Sequence, residues 1–463
     1  MNILWLNSGL LLPLDKGGKL RTWHVMRHLA MRHDITYLSF ADPSQSQADH
    51  DGMREVAARL ETIPRTDPPK GTPRFYADAA RYLIDPAPYA VAKYRSPAFA
   101  AALRRLLQER RFDVLVCDFL PPVVNLPDRL PCPAILFTHN VEAEIWRRHA
   151  ENARNPAARA LLSQQWRRML RFEKRALARF DLVLAVSDAD RHTFDRIYPG
   201  ALRTPAHVIQ TGVDTAYFAP ASSPAEAGPH SDSPSPAGAG SHSHGGVQLE
   251  PDVHPGPRGV RLQPDVDAGP RRAHLVFTGS MDWLPNEDGM LYFVRDILPL
   301  IRLEVPETTL SIIGRAPTPA VKRLADTAGV EVTGRVDDVR PHVAAGSVYI
   351  VPLRIGGGTR LKIFEAMAMA KAVVSTTVGA EGLPVTSGQD VVIADQPAAF
   401  AQAVVGLIRD DERRRRIESE ARRLVVERYD WSAVAQDFED ALTRVCCGAR
   451  EHTGGVPRLE RTA

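Results

Sequence analysis

Short apolar runs of strand length recur along this chain with helical stretches between them, and that alternation restricts the fold more than any other feature. In the first half the runs are "NILWLN", "ITYLSF", "FDVLVCDF", "AILFTHN" and "DLVLAVS"; in the second they are "HLVFTGS", "TLSIIG", "VEVTG", "VYIVPL" and "AVVSTT". Runs without polar alternation do not suit a sheet with one wet face, so they imply parallel strands covered on both sides by helices. "LRTWHVMRHLAMR" reads as one such cover, amphipathic with Leu20, Trp23, Val25, Met26 and Leu29 at its apolar positions.

The halves are parted by the tract 221–272, which holds 9 Pro and 8 Gly in 52 residues and no aromatic. Such a composition cannot bury enough surface to order itself. Within it "VQLEPDVHPGPR" is echoed by "VRLQPDVDAGPR", the mark of an expanded low-complexity insert. Its histidines, His242 and His244 among them, read as solvated and not as metal ligands, because no folded ligand set surrounds them. The expected fold is therefore α/β, two doubly wound Rossmann-like domains facing a cleft at their strand C-termini, where ligands of such sheets bind. The expected organisation is an N-terminal Rossmann-like domain at 1–215, the disordered insert at 221–272 and a C-terminal Rossmann-like domain at 273–427. A helix at 428–445 packs back toward the N-terminal domain, and a flexible tail follows at 446–463.

Bulk properties exclude several classes. With 58 basic and 55 acidic residues the net charge is only +3, which argues against a nucleic-acid partner. Cys117, Cys132, Cys446 and Cys447 show no C-x-x-C spacing, so neither a zinc site nor a disulfide framework is expected. "MNILWLNSGLLLPLDKGG" has no basic leader, and its apolar stretches are too short to span a membrane, so a cytoplasmic location is expected.

The chemistry concentrates in "VPLRIGGGTRLKIFEAMAMAKAVVSTTVGAEGL", Val351 to Leu383. Three glycines, Gly356 to Gly358, precede a helix beginning near Thr359, and Arg360 and Lys362 place positive charge in its first turn. Both features oppose local preference. A bound diphosphate accounts for both, using the glycine amides and neutralising the cations. The plainer alternative is a flexible turn and a solvated basic helix in which Lys362 pairs with Glu365. Glu365 sits inside the apolar "IFEAMAMA", where a carboxylate needs a partner such as a ribose diol. His139 ends the strand "AILFTHN" with Asn140 and Glu142 as neighbours, Gly17 and Gly18 lie between a strand and a helix, and Glu381 follows a later strand. "SDAD", Ser187 to Asp190, contains a D-x-D but reads better as a helix N-cap than as a metal site. Val141 to Phe180 carries ten Arg and Lys against four Glu, which suits either a solvated helix face or contact with an anionic membrane from the cytoplasmic side.

The block from "GRVDDVRPHV" through "GAEGL" resembles the family-four retaining glycosyltransferases of GT-B architecture, and "VIQTGVDTAYFAP" resembles their interdomain crossing. The resemblance implies a glycosyltransferase that moves a sugar, with retention, from a nucleotide-sugar donor to a glycan or lipid-linked acceptor. Cell-surface polysaccharide or glycoconjugate synthesis is the implied setting, with no metal and no cofactor besides the nucleotide-sugar substrate. It implies ribose binding by Glu365, a place near the donor sugar for His139, and amides at Gly17 and Gly18 that face the leaving diphosphate. The expected donor site is Gly17, Gly18, Gly357, Gly358, Thr359, Arg360, Lys362, Glu365 and Glu381, with His139, Arg360 and Lys362 catalytic. Two departures stand out. The family's second glutamate falls at Gly357, and its Arg and Lys after the first strand of the second domain fall at Ser280 and Asn286. Arg360 and Lys362 are expected to take over that diphosphate grip. The rival readings are a nucleotide-sugar epimerase or hydrolase of the same fold and a degenerate nucleotide-sugar-binding protein.

Overall fold

The computed structural model describes residues 1–14, 17–68, 71–73, 77, 82, 85–153, 155–220, 273–355 and 361–453, with side chains to 448. The insert at 221–272 lies outside the described residues. Two parallel sheets organise the chain. The first has seven strands, β1 (Asn2–Asn7), β2 (Asp34–Ala41), β3 (Arg59–Pro64), β4 (Val114–Asp118), β5 (Ala134–Phe137), β6 (Leu182–Ala185) and β7 (His207–Val208), in the order β3-β2-β1-β4-β5-β6-β7. The second has six, β8 (His274–Thr278), β9 (Thr309–Ile313), β10 (Val330–Gly334), β11 (Val348–Val351), β12 (Ala372–Ser375) and β13 (Val392–Ile393), in the order β10-β9-β8-β11-β12-β13.

The two orders share one logic. Strands are added outward from β1 in one direction and then from β4 in the other, and likewise from β8 and from β11. Each sheet thus has a switch point between its two central strands, and a crevice opens there beyond the strand C-termini. The central strands are also the driest, since Ile3 to Leu6 and Leu275 to Phe277 are at most 1% exposed.

The chain crosses between the sheets twice. At the first crossing Val213 pairs with Asp430 in a parallel bridge, its N–H donating to the Tyr429 carbonyl at 2.7 Å, and Thr215 Oγ1 donates to Asp430 Oδ2 at 2.6 Å. At the second, the helix Trp431–Thr453 returns to the first sheet and buries Trp431, Val434, Phe438, Ala441 and Leu442, a spacing that puts one helical stripe inward. Phe438 stacks on Trp5 at 5.5 Å and meets Phe137 edge-on at 5.0 Å. That helix continues past the flexible-tail boundary expected at 446, because Val445 and Cys446 still pack against the first core.

Candidate active site

Beyond the β1/β4 switch point a single buried carboxylate gathers the first half of the site. Asp118, the last residue of β4, accepts from Trp5 Nε1 (3.1 Å), Asn7 Nδ2 (2.7 Å) and Thr22 Oγ1 (2.7 Å) on one oxygen and from His139 Nε2 (2.8 Å) on the other. That bond assigns the proton of the neutral ring to Nε2 and leaves Nδ1 as an acceptor. Burial pushes the His139 pKa below its usual value, opposed by Asp118, so the ring is neutral at pH 7. The imidazole also stacks on Phe119, 3.9 Å between ring centres, and Phe119 takes a left-handed backbone with φ +67. A side chain at that φ is strained, which marks a constrained site.

Gly17 and Gly18 begin the helix Gly17–Leu29, and they differ. A Cβ on Gly18 would lie 2.7 Å from the Phe119 ring and 3.5 Å from His139 Nδ1, whereas one on Gly17 would meet nothing within 4 Å. One turn on, Arg21 is buried, donates to the Thr138 carbonyl at 2.8 Å and to the Ile209 carbonyl, and lies 4.3 Å over the Phe137 ring. Burial lowers its pKa to about 9 against the pull of Asp118, so it stays charged at pH 7.

A cavity of about 220 Å³ lies between the halves, with His139, Arg148, Ser187 and Asp190 on one side and Glu381 and Gly382 on the other. Glu381 thus joins His139 in one crevice. Asn140 lines it too, but Glu142 does not. The D-x-D diverges. Ser187 caps the helix Asp188–Ile197 by accepting from Asp190 N, Asp190 faces the cavity, and exposed Asp188 pairs with Arg191 at 2.8 Å. Among the described residues no group of three or more His, Cys, Asp or Glu could hold a metal. Glu142 takes part in a carboxylate pair instead, where burial and Glu173 push it up to about 7. Glu173 accepts from the Glu142 and Ala143 amides, both at 3.0 Å, and so supplies the cap that the helix Glu142–Asn152 lacks in its own sequence.

The second half of the site stands beyond the β8/β11 switch point. Gly357, Gly358, Thr359 and Arg360 lie outside the described residues. The helix Leu361–Ala368 buries Ile363, Phe364, Ala366 and Met367, with Phe364 stacked on Tyr429 at 4.6 Å. Lys362 does not form the simple surface pair with Glu365 that its spacing allows. Its Nζ lies 4.1 Å over the Phe277 ring and donates to Asn286 Oδ1 at 2.8 Å. Gly279 gives this contact room, since a Cβ there would lie 2.8 Å from Lys362 Nζ and make the lysine and Asn286 shift. Burial lifts the Glu365 carboxyl to about 7, with Lys362 pulling it back, and the carboxylate accepts no hydrogen bond from a described residue. Sequence reasoning missed Asp118 and Arg21. The signal available was a charged residue inside an apolar pattern, in "VLVCDF" and in "LRTWHVM".

Comparison with known proteins decides the family. Residues 16–217 match the model of Glycosyltransferase Family 4, and residues 272–410 match that of Glycosyl transferases group 1. The chain belongs to the group 1 glycosyltransferases of GT-B architecture. This glycosyltransferase is 25% identical over 166 residues to an uncharacterized 44.6 kDa protein in the cps region of Klebsiella pneumoniae, covering 34% of this chain and 43% of that one. It is 25% identical over 296 residues to the alpha-maltose-1-phosphate synthase of Mycobacterium tuberculosis, covering 59% and 66%. The matches thus span less than two thirds of either relative. Among solved structures, Anabaena Alr3699/HepE in complex with UDP has a TM-score of 0.60 at 14% identity, covering 96% of this chain and 100% of that one. Sucrose-phosphate synthase from Thermosynechococcus elongatus also has a TM-score of 0.60 at 14% identity, covering 97% and 100%. These structures share the fold of the glycosyltransferase.

Proposed function

We propose that this glycosyltransferase takes a sugar from a nucleotide-sugar donor, held by the second sheet, and passes it with retention to an acceptor hydroxyl entering from the first. The observation that carries this reading is Glu365, a carboxylate raised to about 7 by burial with no hydrogen-bond donor among the described residues. Glu365 is half-buried, so water can reach its carboxylate, and a ribose diol could replace that water with two donors. The nearby Lys362 gives the leaving diphosphate a cation, and stabilising that developing charge is the main catalytic task. HepE in complex with UDP and with UDP-glucose has the same fold, which supports a nucleotide-sugar donor. The Klebsiella relative from a cps region supports a role in surface polysaccharide or glycoconjugate synthesis.

We further propose a cytoplasmic enzyme that uses no metal and touches the membrane peripherally. No helix among the described residues is long and apolar enough to cross a membrane. The helix Pro156–Leu177 carries exposed Arg159, Arg167 and Arg171 beside the exposed Leu161, a pattern that suits an anionic lipid surface. The test of the donor site is calorimetric titration with UDP, GDP, ADP and dTDP and their sugars, in the parent and in Glu365→Ala. Hydrogen bonds to a charged acceptor contribute about 1.5–3 kcal/mol, so the variant loses roughly 10- to 150-fold in affinity. Equal affinity in both proteins, or no binding in either, defeats the reading. Product anomeric configuration by NMR then decides retention.

A further inference from the structure

The two positions where the family resemblance places an Arg and a Lys hold uncharged residues, Ser280 just beyond β8 and Asn286 in the helix Leu284–Tyr292 that follows it. Each is nonetheless reached by a cation from a neighbouring strand. Arg315, two residues beyond β9, donates from Nε to Ser280 Oγ at 2.9 Å, and Lys362, from the helix that follows β11, donates from Nζ to Asn286 Oδ1 at 2.8 Å. Since β9 and β11 flank β8, the two cations come from opposite sides, and the Asn286 amide bonded to the Ser280 carbonyl at 2.8 Å joins the residues they reach.

Both uncharged residues are turned as acceptors toward these cations. Ser280 donates its own hydroxyl proton to Asp282 Oδ1 at 2.5 Å, leaving a lone pair for Arg315. Asn286 spends its amide on the Ser280 carbonyl at 2.8 Å, leaving its oxygen for Lys362. The backbone is shaped to the same end. Gly314, just before Arg315, packs so closely that a Cβ there would sit 1.6 Å from the Gly279 carbonyl oxygen, and a Cβ on Gly279 would crowd both Asn286 and Lys362. Arg315 itself is exposed, and its two Nη groups donate to no described residue. The guanidinium fork is therefore held by Nε and open at its far edge, the geometry for bidentate contact with phosphate oxygens.

We infer that Arg315 and Lys362 form a two-sided grip on the donor's diphosphate over the end of β8, Arg315 being a binding residue that the sequence reading did not place. The inference rests on the nucleotide-sugar reading above. Arg315 is a binding residue for the pyrophosphate oxygens. Ser280 and Asn286 are positioning residues that aim the two cations.

The experiment titrates UDP, GDP, ADP and dTDP into the full chain, then compares the diphosphate that binds with its own nucleoside. Arg315→Ala is expected to weaken the diphosphate at least tenfold and to leave the nucleoside unchanged. Arg315→Lys, which keeps the charge but not the fork, is expected to lose less, and Ser280→Ala less again. Melting curves check that the variants fold, which an exposed side chain favours. Unchanged diphosphate affinity in Arg315→Ala overturns the grip while the transferase reading stands. An equal loss for diphosphate and nucleoside overturns it too, since the residue would then support the pocket and not the phosphates. If the parent binds none of the four diphosphates, both readings fail together.

Discussion

Replacing Asp118 with Asn tests whether the first half of the site is built around a charge or only around a shape. One carboxylate oxygen accepts from Trp5, Asn7 and Thr22, and the other from His139 alone. An Asn of the same outline keeps three of these bonds if its carbonyl takes the crowded position. Its NH2 group then faces His139 Nε2, and two donors cannot share that bond. The ring must move its proton to Nδ1, the nitrogen that faces Gly18 and the cleft. Hydrogen bonds to a charged acceptor contribute about 1 kcal/mol more than bonds to a neutral one. Four such losses amount to about 4 kcal/mol, offset by about 2 kcal/mol from no longer burying an ion. The net cost of about 2 kcal/mol lowers the melting temperature by about 4–8 °C in a unit of this size. Nitrogen-15 NMR of labelled histidine reads which ring nitrogen carries the proton. If Asp118→Asn keeps the Nε2–H tautomer and melts with the parent, Asp118 does not orient His139 through its charge, and the reasoning fails.

Three further outcomes follow from single contacts. Gly18→Ala drives a methyl group to 2.7 Å from the Phe119 ring and is expected to disturb the His139 stack and cut transfer activity, while Gly17→Ala, with nothing within 4 Å, stays near the parent in the same activity assay. Phe438→Ala removes the ring wedged between Trp5 and Phe137 and is expected to cost about 3–5 kcal/mol in urea unfolding, whereas a loss under 1 kcal/mol would mean the closing helix holds by other contacts. Glu365 has a folded pKa of about 7 against an ordinary value of 4.5, so the folded chain holds a proton that the unfolded chain releases, and stability falls as pH rises between those values. Glu365→Gln abolishes that fall and gains on the parent by up to about 3 kcal/mol above pH 7, so parallel pH–stability profiles would contradict the assignment.

Legibility from sequence tracked how local the determining physics is. The α/β class and the ten strands read from apolar runs formed because buried parallel strands write their environment into contiguous residues. Strand β3, "RLETIP", escaped because Arg59, Glu61 and Thr62 break its apolar run, whereas the edge strand β10, "VEVTG", keeps valines at alternate positions. The two-residue strands β7 and β13 are too short to leave a pattern. The site was legible where one segment carries it, as in the helix bearing Lys362 and Glu365. It was illegible where distant segments converge: Arg315 and Ser280 are 35 residues apart in sequence and 2.9 Å apart in space.

The inferred grip would explain why the departures at Ser280 and Asn286, which read as losses in the sequence, need not be losses in the fold. A sequence reading assigns charge to a position. A diphosphate responds to where charge sits in space, whichever strand delivers it. With β9 and β11 on either side of β8, Arg315 and Lys362 reach Ser280 and Asn286, the positions where the resemblance places the cations, with both residues acting as acceptors. The swap also constrains the backbone. A Cβ at Gly279 would crowd Lys362 Nζ and Asn286, while Gly314 must stay bare for a different reason, the close approach of the Gly279 carbonyl. Gly279→Ala is therefore expected to weaken diphosphate binding about as much as Lys362→Ala, and a titration in which the alanine at 279 binds like the parent would show that Lys362 reaches the phosphates by another route.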